Sequence, residues 1–184
     1  MGYHNNVFHA SSWTVWKYAS GGMIMQKRFN AREVFEMAIG IEKNGEIFYT
    51  RASEIFDDHK VKSMLTGLAS MEAEHEKVFM SMRDELTKNE EYNSGLDPDD
   101  LAVLYLRAMI SGEVFDAMAP LDGTERLRDV LRRGIEAEKD SIVFYTGLKG
   151  IVPEVLGREK LNKIIEEEMR HIVILSEKLS LCKD

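Results

Sequence analysis

The sequence predicts an all-α protein: an antiparallel four-helix bundle whose two hairpins are joined by one long crossover carrying a short extra helix. Three observations predict it. Four long segments carry apolar residues that alternate by three and four, and no stretch sustains a period of two. Turn-forming residues sort these segments into two pairs, with far more chain between the pairs than a hairpin turn needs. The two halves also repeat at an offset of 96 positions, matching Glu42 with Glu138, Phe48 with Phe144, Tyr49 with Tyr145, and the Glu-x-x-His run 72–75 with 168–171.

Residues 1–29 stand outside this pattern, with His, Asn, Ser, Gly and aromatics in no steady period, and read as an irregular N-terminal extension to a helical domain over 30–184. Met23 and Met25, just before Gln26-Lys27-Arg28, are natural translation starts. Trp13, Trp16 and Tyr18 leave a docking arm as the other reading, and His4 and His9 read as bystanders.

Asn30 with Glu33 forms a capping box and opens the first helix, about 31–56, whose seam is Val34, Ala38, Ile41, Gly45, Phe48, Ala52 and Ile55. A second helix follows Asp57-Asp58, with a seam of Leu65, Leu68, Glu72, His75, Phe79, Met82 and Leu86. Turn-formers from Asn89 to Gly95 end it. Asp97-Pro98 then reads as an N-cap with proline in the first turn of a shorter helix near 98–115. After the break at Ala119 to Gly123, Thr124 is expected to cap a helix over about 125–149. Gly150 and Pro153 should separate it from the last, about 154–181.

At 184 residues and 44% hydrophobic, the chain suits one domain with a substantial core. Its net charge of −8 argues against nucleic acid or an anionic membrane as partner. No run of eighteen apolar residues exists for a membrane span, and Met1 to Tyr18 lacks the basic opening and apolar core of a secretory signal. The single cysteine, Cys182, makes neither an intrachain disulfide nor a four-thiolate metal site, so a cytoplasmic setting is expected.

The repeat carries the chemistry. Residues three apart on a helix share a face, so Glu72 and His75 can reach one point, as can Glu168 and His171. Both pairs fall on apolar seams, the second among Leu161, Ile164 and Leu175, and Glu42 and Glu138 sit beside the seams of the other two long helices. A buried, uncompensated carboxylate costs about several kcal/mol even after relaxation. Four in one core demand compensation, and two divalent cations cancel four negative charges. Oxygen-rich coordination with one imidazole per ion and no thiolate suits iron or manganese better than structural zinc.

These residues bring a family into view. Ala38-Ile39-Gly40-Ile41-Glu42 with Phe48-Tyr49, Met71-Glu72-Ala73-Glu74-His75, Glu136-Ala137-Glu138-Lys139-Asp140-Ser141 with Phe144-Tyr145, and Glu166-Glu167-Glu168-Met169-Arg170-His171 resemble the rubrerythrin branch of ferritin-like proteins, over about 30–182. The resemblance implies a ferritin-like bundle in which Glu42, Glu72, His75, Glu138, Glu168 and His171 ligate two iron ions per subunit, with manganese or a mixed pair as the alternatives. Glu72 and Glu168 would bridge the ions. Tyr49 and Tyr145, two turns beyond Glu42 and Glu138, would hydrogen-bond those bridging carboxylates from outside. The chain departs from the family twice. It has no four-cysteine, rubredoxin-like segment, and Ile135 and Ser141 flank Glu138 where rubrerythrins usually carry one more glutamate. The resulting symmetric six resembles a ferroxidase-type site.

Other acidic and imidazole residues have plainer readings. Glu74, Glu76, Glu166 and Glu167 fall off the inner stripe and are expected on solvated faces; His59 and Glu113 are expected at the surface, the eleven methionines in packing, and Cys182 as an idle thiol. The expected function is a di-iron oxidoreductase that reduces hydrogen peroxide, or dioxygen, with electrons from a rubredoxin-like donor. The alternatives are a ferroxidase and a non-catalytic helical module stabilised by zinc or manganese. A homo-oligomer, in the first instance a dimer, is expected for each.

Overall fold

Asn30 starts the first helix as its sequence requires: its side chain accepts from Glu33 N at 2.9 Å, and the Glu33 carboxylate accepts back from Asn30 N. The computed structural model describes residues 30–88, 96–97, 99–111, 120–154 and 157–182. Five helices follow in order: α1 Ala31–Ile55, α2 His59–Thr87, α3 Leu101–Ser111, α4 Leu127–Ile151 and α5 Arg158–Ser180. No strand occurs among the described residues. The extension 1–29, the turn at 89–95, Pro98 and Glu113 lie outside them.

Short connections make α1 pair with α2 and α4 with α5, and the two hairpins meet where α1 touches α4 and α2 touches α5. Asp58 caps α2 by accepting from Val61 N at 2.8 Å. No described helix is long and apolar enough to cross a membrane.

The core is divided in two. One apolar cluster holds Val34, Phe35, Phe79, Met82, Phe144, Leu148, Leu161 and Ile164; the other holds Phe48, Ala52, Leu65, Leu68, Val130, Leu131 and Leu175. In each long helix, the site residues lie between residues of one cluster and residues of the other. Glu42, Glu72 with His75, Glu138, and Glu168 with His171 therefore form a polar layer sealed at both ends by packed side chains.

Three sequence expectations need correction. Asp100, not Asp97, caps α3, accepting from Ala102 N at 2.7 Å and Val103 N at 3.4 Å, while the Asp97 side chain accepts from Asp99 N. Thr124 does not cap α4. Its amide and hydroxyl both bond Asp122, and the helix starts at Arg126 with no side-chain cap. Gly150 does not end α4 either, which continues to Ile151; the stop comes at Val152, and Gly157 in the left-handed region precedes α5.

The reason for Gly150 is close approach. A Cβ there would stand 2.6 Å from the Ala102 Cβ, and one on Gly147 would stand 2.5 Å from the Tyr105 ring. Together they seat α3 against α4, where the Tyr105 hydroxyl donates to the Val143 carbonyl at 2.9 Å. Gly67, on the exposed side of α2, has open space instead. Gly147→Ala should therefore lower the thermal midpoint, by about 1–3 kcal/mol of overpacking less the helix gain. Gly67→Ala should raise stability by about 0.5–1 kcal/mol. Chemical denaturation of both variants checks the opposite signs.

Candidate metal centre

Glu42 from α1, Glu72 and His75 from α2, Glu138 from α4, and Glu168 and His171 from α5 meet in the layer between the apolar clusters, each 3% exposed or less. They form two overlapping groups of donors, within which the ligand atoms lie inside 4.8 Å of one another: Glu42, Glu72, His75 and Glu168, and Glu72, Glu138, Glu168 and His171. Glu72 and Glu168 belong to both. The structure thus brings together all six residues singled out in the sequence.

Both imidazoles turn Nδ1 inward. His75 Nδ1 stands 2.9 Å from Glu168 Oε1 and 3.4 Å from Glu42 Oε2; His171 Nδ1 stands 2.9 Å from Glu168 Oε2 and 3.1 Å from Glu72 Oε1. The rings lie nearly parallel, their centroids 5.7 Å apart. Yet Glu42 Oε2, Glu72 Oε1, both Glu168 oxygens and both Nδ1 atoms lack a partner with the geometry of a hydrogen bond. They lie within ion-pair distance of one another and converge on common points. Buried polar atoms without partners are expensive, and their convergence is what a coordinated cation would satisfy.

The tyrosines hold the outer oxygens crosswise. Tyr49 on α1 donates to Glu138 Oε1 on α4, and Tyr145 on α4 donates to Glu42 Oε1 on α1. This corrects the expectation that they hydrogen-bond the shared carboxylates Glu72 and Glu168. The swap follows from geometry: each tyrosine sits seven residues beyond its own helix's glutamate, and α1 and α4 run antiparallel, so each hydroxyl lands beside the other helix's carboxylate. Gly45 makes room on the same wall, since a Cβ there would stand 3.1 Å from the Glu72 side chain.

The titration of these groups reflects their crowding. Burial, then the charge of Glu168, pushes the Glu42 carboxyl up. Burial, with Glu138 and Glu42 close by, pushes Glu72 well above the ordinary range. Burial and the Glu72 charge lift Glu168 to about 7. For the imidazoles burial opposes protonation, but the adjoining carboxylates outweigh it. Glu168 and Glu42 lift His75 to about 11, and Glu138, Glu168 and Glu72 lift His171 to about 12. Burial and the facing carboxylates likewise hold the Tyr49 and Tyr145 phenols well above their ordinary value, so they stay donors. Without cations, the cluster compensates its charge with protons.

One participant escaped the sequence reading. Glu167, expected on a solvated face, places Oε2 2.8 Å from His75 Nε2, with its side chain 44% exposed. Its position three after Ile164 and four before His171 puts it on the edge of the α5 seam, a signal that only the neighbouring helix could turn into a contact. Among the other plain readings, the assignment of the methionines to packing fails for Met80 and Met169, which are exposed. Glu74 and Glu136 are solvent-facing and paired with Lys77 and Lys139. Ile135 is apolar core, and the Ser141 hydroxyl bonds the Ala137 carbonyl of its own helix, so neither supplies a further carboxylate.

Fold and site together define a helical bundle with a carboxylate–imidazole cluster at its middle that could hold metal ions. Residues 33–179 match the rubrerythrin family, and the chain belongs to it. A crystal structure described as that of a ferritin-like diiron-carboxylate protein from Thermotoga maritima is similar, with 27% identity and a TM-score of 0.63 over 84% of this chain and 97% of that one. Among curated proteins no significant match is found.

The raised carboxyls set a pH dependence. With a folded value of about 7 against an ordinary 4.5, Glu168 favours the metal-free fold fully below pH 4.5 and loses that contribution as the pH rises through 7. Glu42 and Glu72 act in the same sense. The imidazoles act in the same sense, their contribution being full below pH 6.5 and lost progressively as the pH rises to about 11 for His75 and about 12 for His171. Metal-free protein should thus melt at lower temperature at pH 8 than at pH 5, on the order of 3 kcal/mol from Glu168 alone. Excess divalent cation should remove that loss, as thermal unfolding with chelator and then with Mn(II) will show.

Proposed function

We propose that this protein is a di-iron oxidoreductase that reduces hydrogen peroxide, or dioxygen, with electrons from an external donor. The observation that carries the reading is the pair of converging donor groups, each with three carboxylates and one imidazole, sharing Glu72 and Glu168. Four buried carboxylates balance two divalent cations, and the oxygen-rich, thiolate-free set favours iron or manganese. The rubrerythrin family match and the likeness to a ferritin-like diiron-carboxylate protein support iron.

Two bound ferrous ions would supply the two electrons that cleave an oxygen–oxygen bond. The chain's own residues do the rest. Glu42 with His75, and Glu138 with His171, would hold one ion each, and Glu72 and Glu168 would keep the pair together. Tyr145 and Tyr49 fix the outer carboxylates, and their protonated hydroxyls stand at the rim of the centre. The two apolar clusters exclude water from both ends. With a single cysteine, these 184 residues build no four-thiolate iron centre, so we assign the returning electrons to a separate, rubredoxin-like protein. A homodimer in the cytoplasm is the assembly and setting we infer.

A ferroxidase is the second reading, favoured by the symmetric six-residue set that Ile135 and Ser141 leave in place. Anaerobic protein loaded with two equivalents of Fe(II), mixed rapidly with peroxide or with dioxygen, separates the two. Faster oxidation by peroxide, ending after one turnover without reductant, is expected. Faster reaction with dioxygen, repeated over many added equivalents of Fe(II), would select the ferroxidase.

A further inference from the structure

The 96-residue repeat matches the six donors and the two tyrosines, but it does not match the residue that touches an imidazole from outside. Glu167 is offset from Met71, because 71 and 167 differ by 96. Glu167 bonds His75 Nε2 at 2.8 Å. Met71 packs against the apolar cluster of Leu65, Leu68 and Leu175, and the buried His171 Nε2 has no hydrogen-bond partner among the described residues.

We propose that the two cation positions are unequal: the position at His75 fills first and binds more tightly because Glu167 supports that imidazole, whereas Met71 leaves His171 without such support. This inference rests on the reading of the centre as a dinuclear site. A neutral imidazole that binds a cation through Nδ1 carries its proton on Nε2. At His75 that proton is donated to a carboxylate, which fixes the tautomer, locks the ring and makes Nδ1 a stronger donor. At His171 the same proton points at no acceptor. The rest of the two donor sets is matched in residue type, since Glu42 with Tyr145 mirrors Glu138 with Tyr49, and Glu72 and Glu168 are shared. Glu167 is thus a positioning residue, acting on the metal through His75. Its half-exposed side chain also joins the otherwise sealed centre to the protein surface.

Outer carboxylates of this kind typically carry tenfold to a hundredfold in metal affinity, so on the order of tenfold or more should separate the two steps. The test is a Co(II) titration of the full-length metal-free protein, followed by visible absorption and calorimetry. Two unequal steps are expected. Glu167→Ala should weaken the tight step by on the order of tenfold and merge it with the weak one. Glu167→Gln, which keeps an acceptor but loses the charge, should fall between. Because Glu42 belongs only to the His75 group and Glu138 only to the His171 group, Glu138→Gln should retain the tight step and Glu42→Gln should lose it. Met71→Glu, which restores the symmetric carboxylate, should tighten the weak step; the Glu167 variants carry the test alone if that chain does not fold. Two equal steps in the unaltered protein, a tight step indifferent to Glu167→Ala, or a tight step surviving Glu42→Gln would each overturn the inequality while leaving a dinuclear site standing. No uptake of Co(II) would overturn the dinuclear reading itself.

Discussion

Everything in this bundle is arranged around the cost of burying four carboxylates. Glu42, Glu72, Glu138 and Glu168 sit where an ordinary four-helix protein would place leucine, and a lone buried carboxylate costs about several kcal/mol. Protons on the crowded acids and on both imidazoles are one compensation; two divalent cations are the other, with the charges cancelling in full. The fold makes this choice unavoidable by denying the acids a route to solvent. In each long helix they are flanked by residues of the two apolar clusters, and all four are 3% exposed or less.

The surrounding residues restrict the donors further. Tyr49 and Tyr145 each tie one oxygen of an outer carboxylate to the opposite hairpin; Glu42 turns its second oxygen to His75 Nδ1 at 3.4 Å, while at Glu138 the oxygen held by Tyr49 also faces His171 Nδ1 at 3.6 Å. Gly45 lets Glu72 lean against α1, where a methyl group would crowd its carboxylate. Such support from outside is what converts a cluster of acids into fixed donors. It also links the hairpins: the reciprocal Tyr–Glu bonds join α1 to α4, while His75 with Glu167 and Glu168 joins α2 to α5. The centre is thus part of what holds the two halves in register.

How much of this was legible in the sequence depended on whether the signal lay within one helix or between two. The capping box of Asn30, the seams, and the six donors are single-helix patterns, and the internal repeat doubled the donors. The ends of α3 and α4 were less legible. Asp97 and Thr124 are good capping residues by type, but Asp100 competes for the α3 amides and Asp122 captures Thr124. Gly150 has the look of a terminator, and only the proximity of Ala102 shows it to be a contact residue within a helix. The partners of Tyr49 and Tyr145, and the role of Glu167, require knowing which helices are neighbours and how they run. Spacing along one chain segment does not contain that information.

The central claim, that cations occupy the sealed layer and satisfy those six side chains, is tested most directly by anomalous diffraction at the iron edge, from crystals grown with Fe(II) under anaerobic conditions. The account predicts two peaks between the helices, one within ligand reach of Glu42 and His75, the other within reach of Glu138 and His171, and both flanked by Glu72 and Glu168. Iron found only on solvent-facing acids such as Glu74 and Glu136, with no anomalous density inside the bundle, would contradict it.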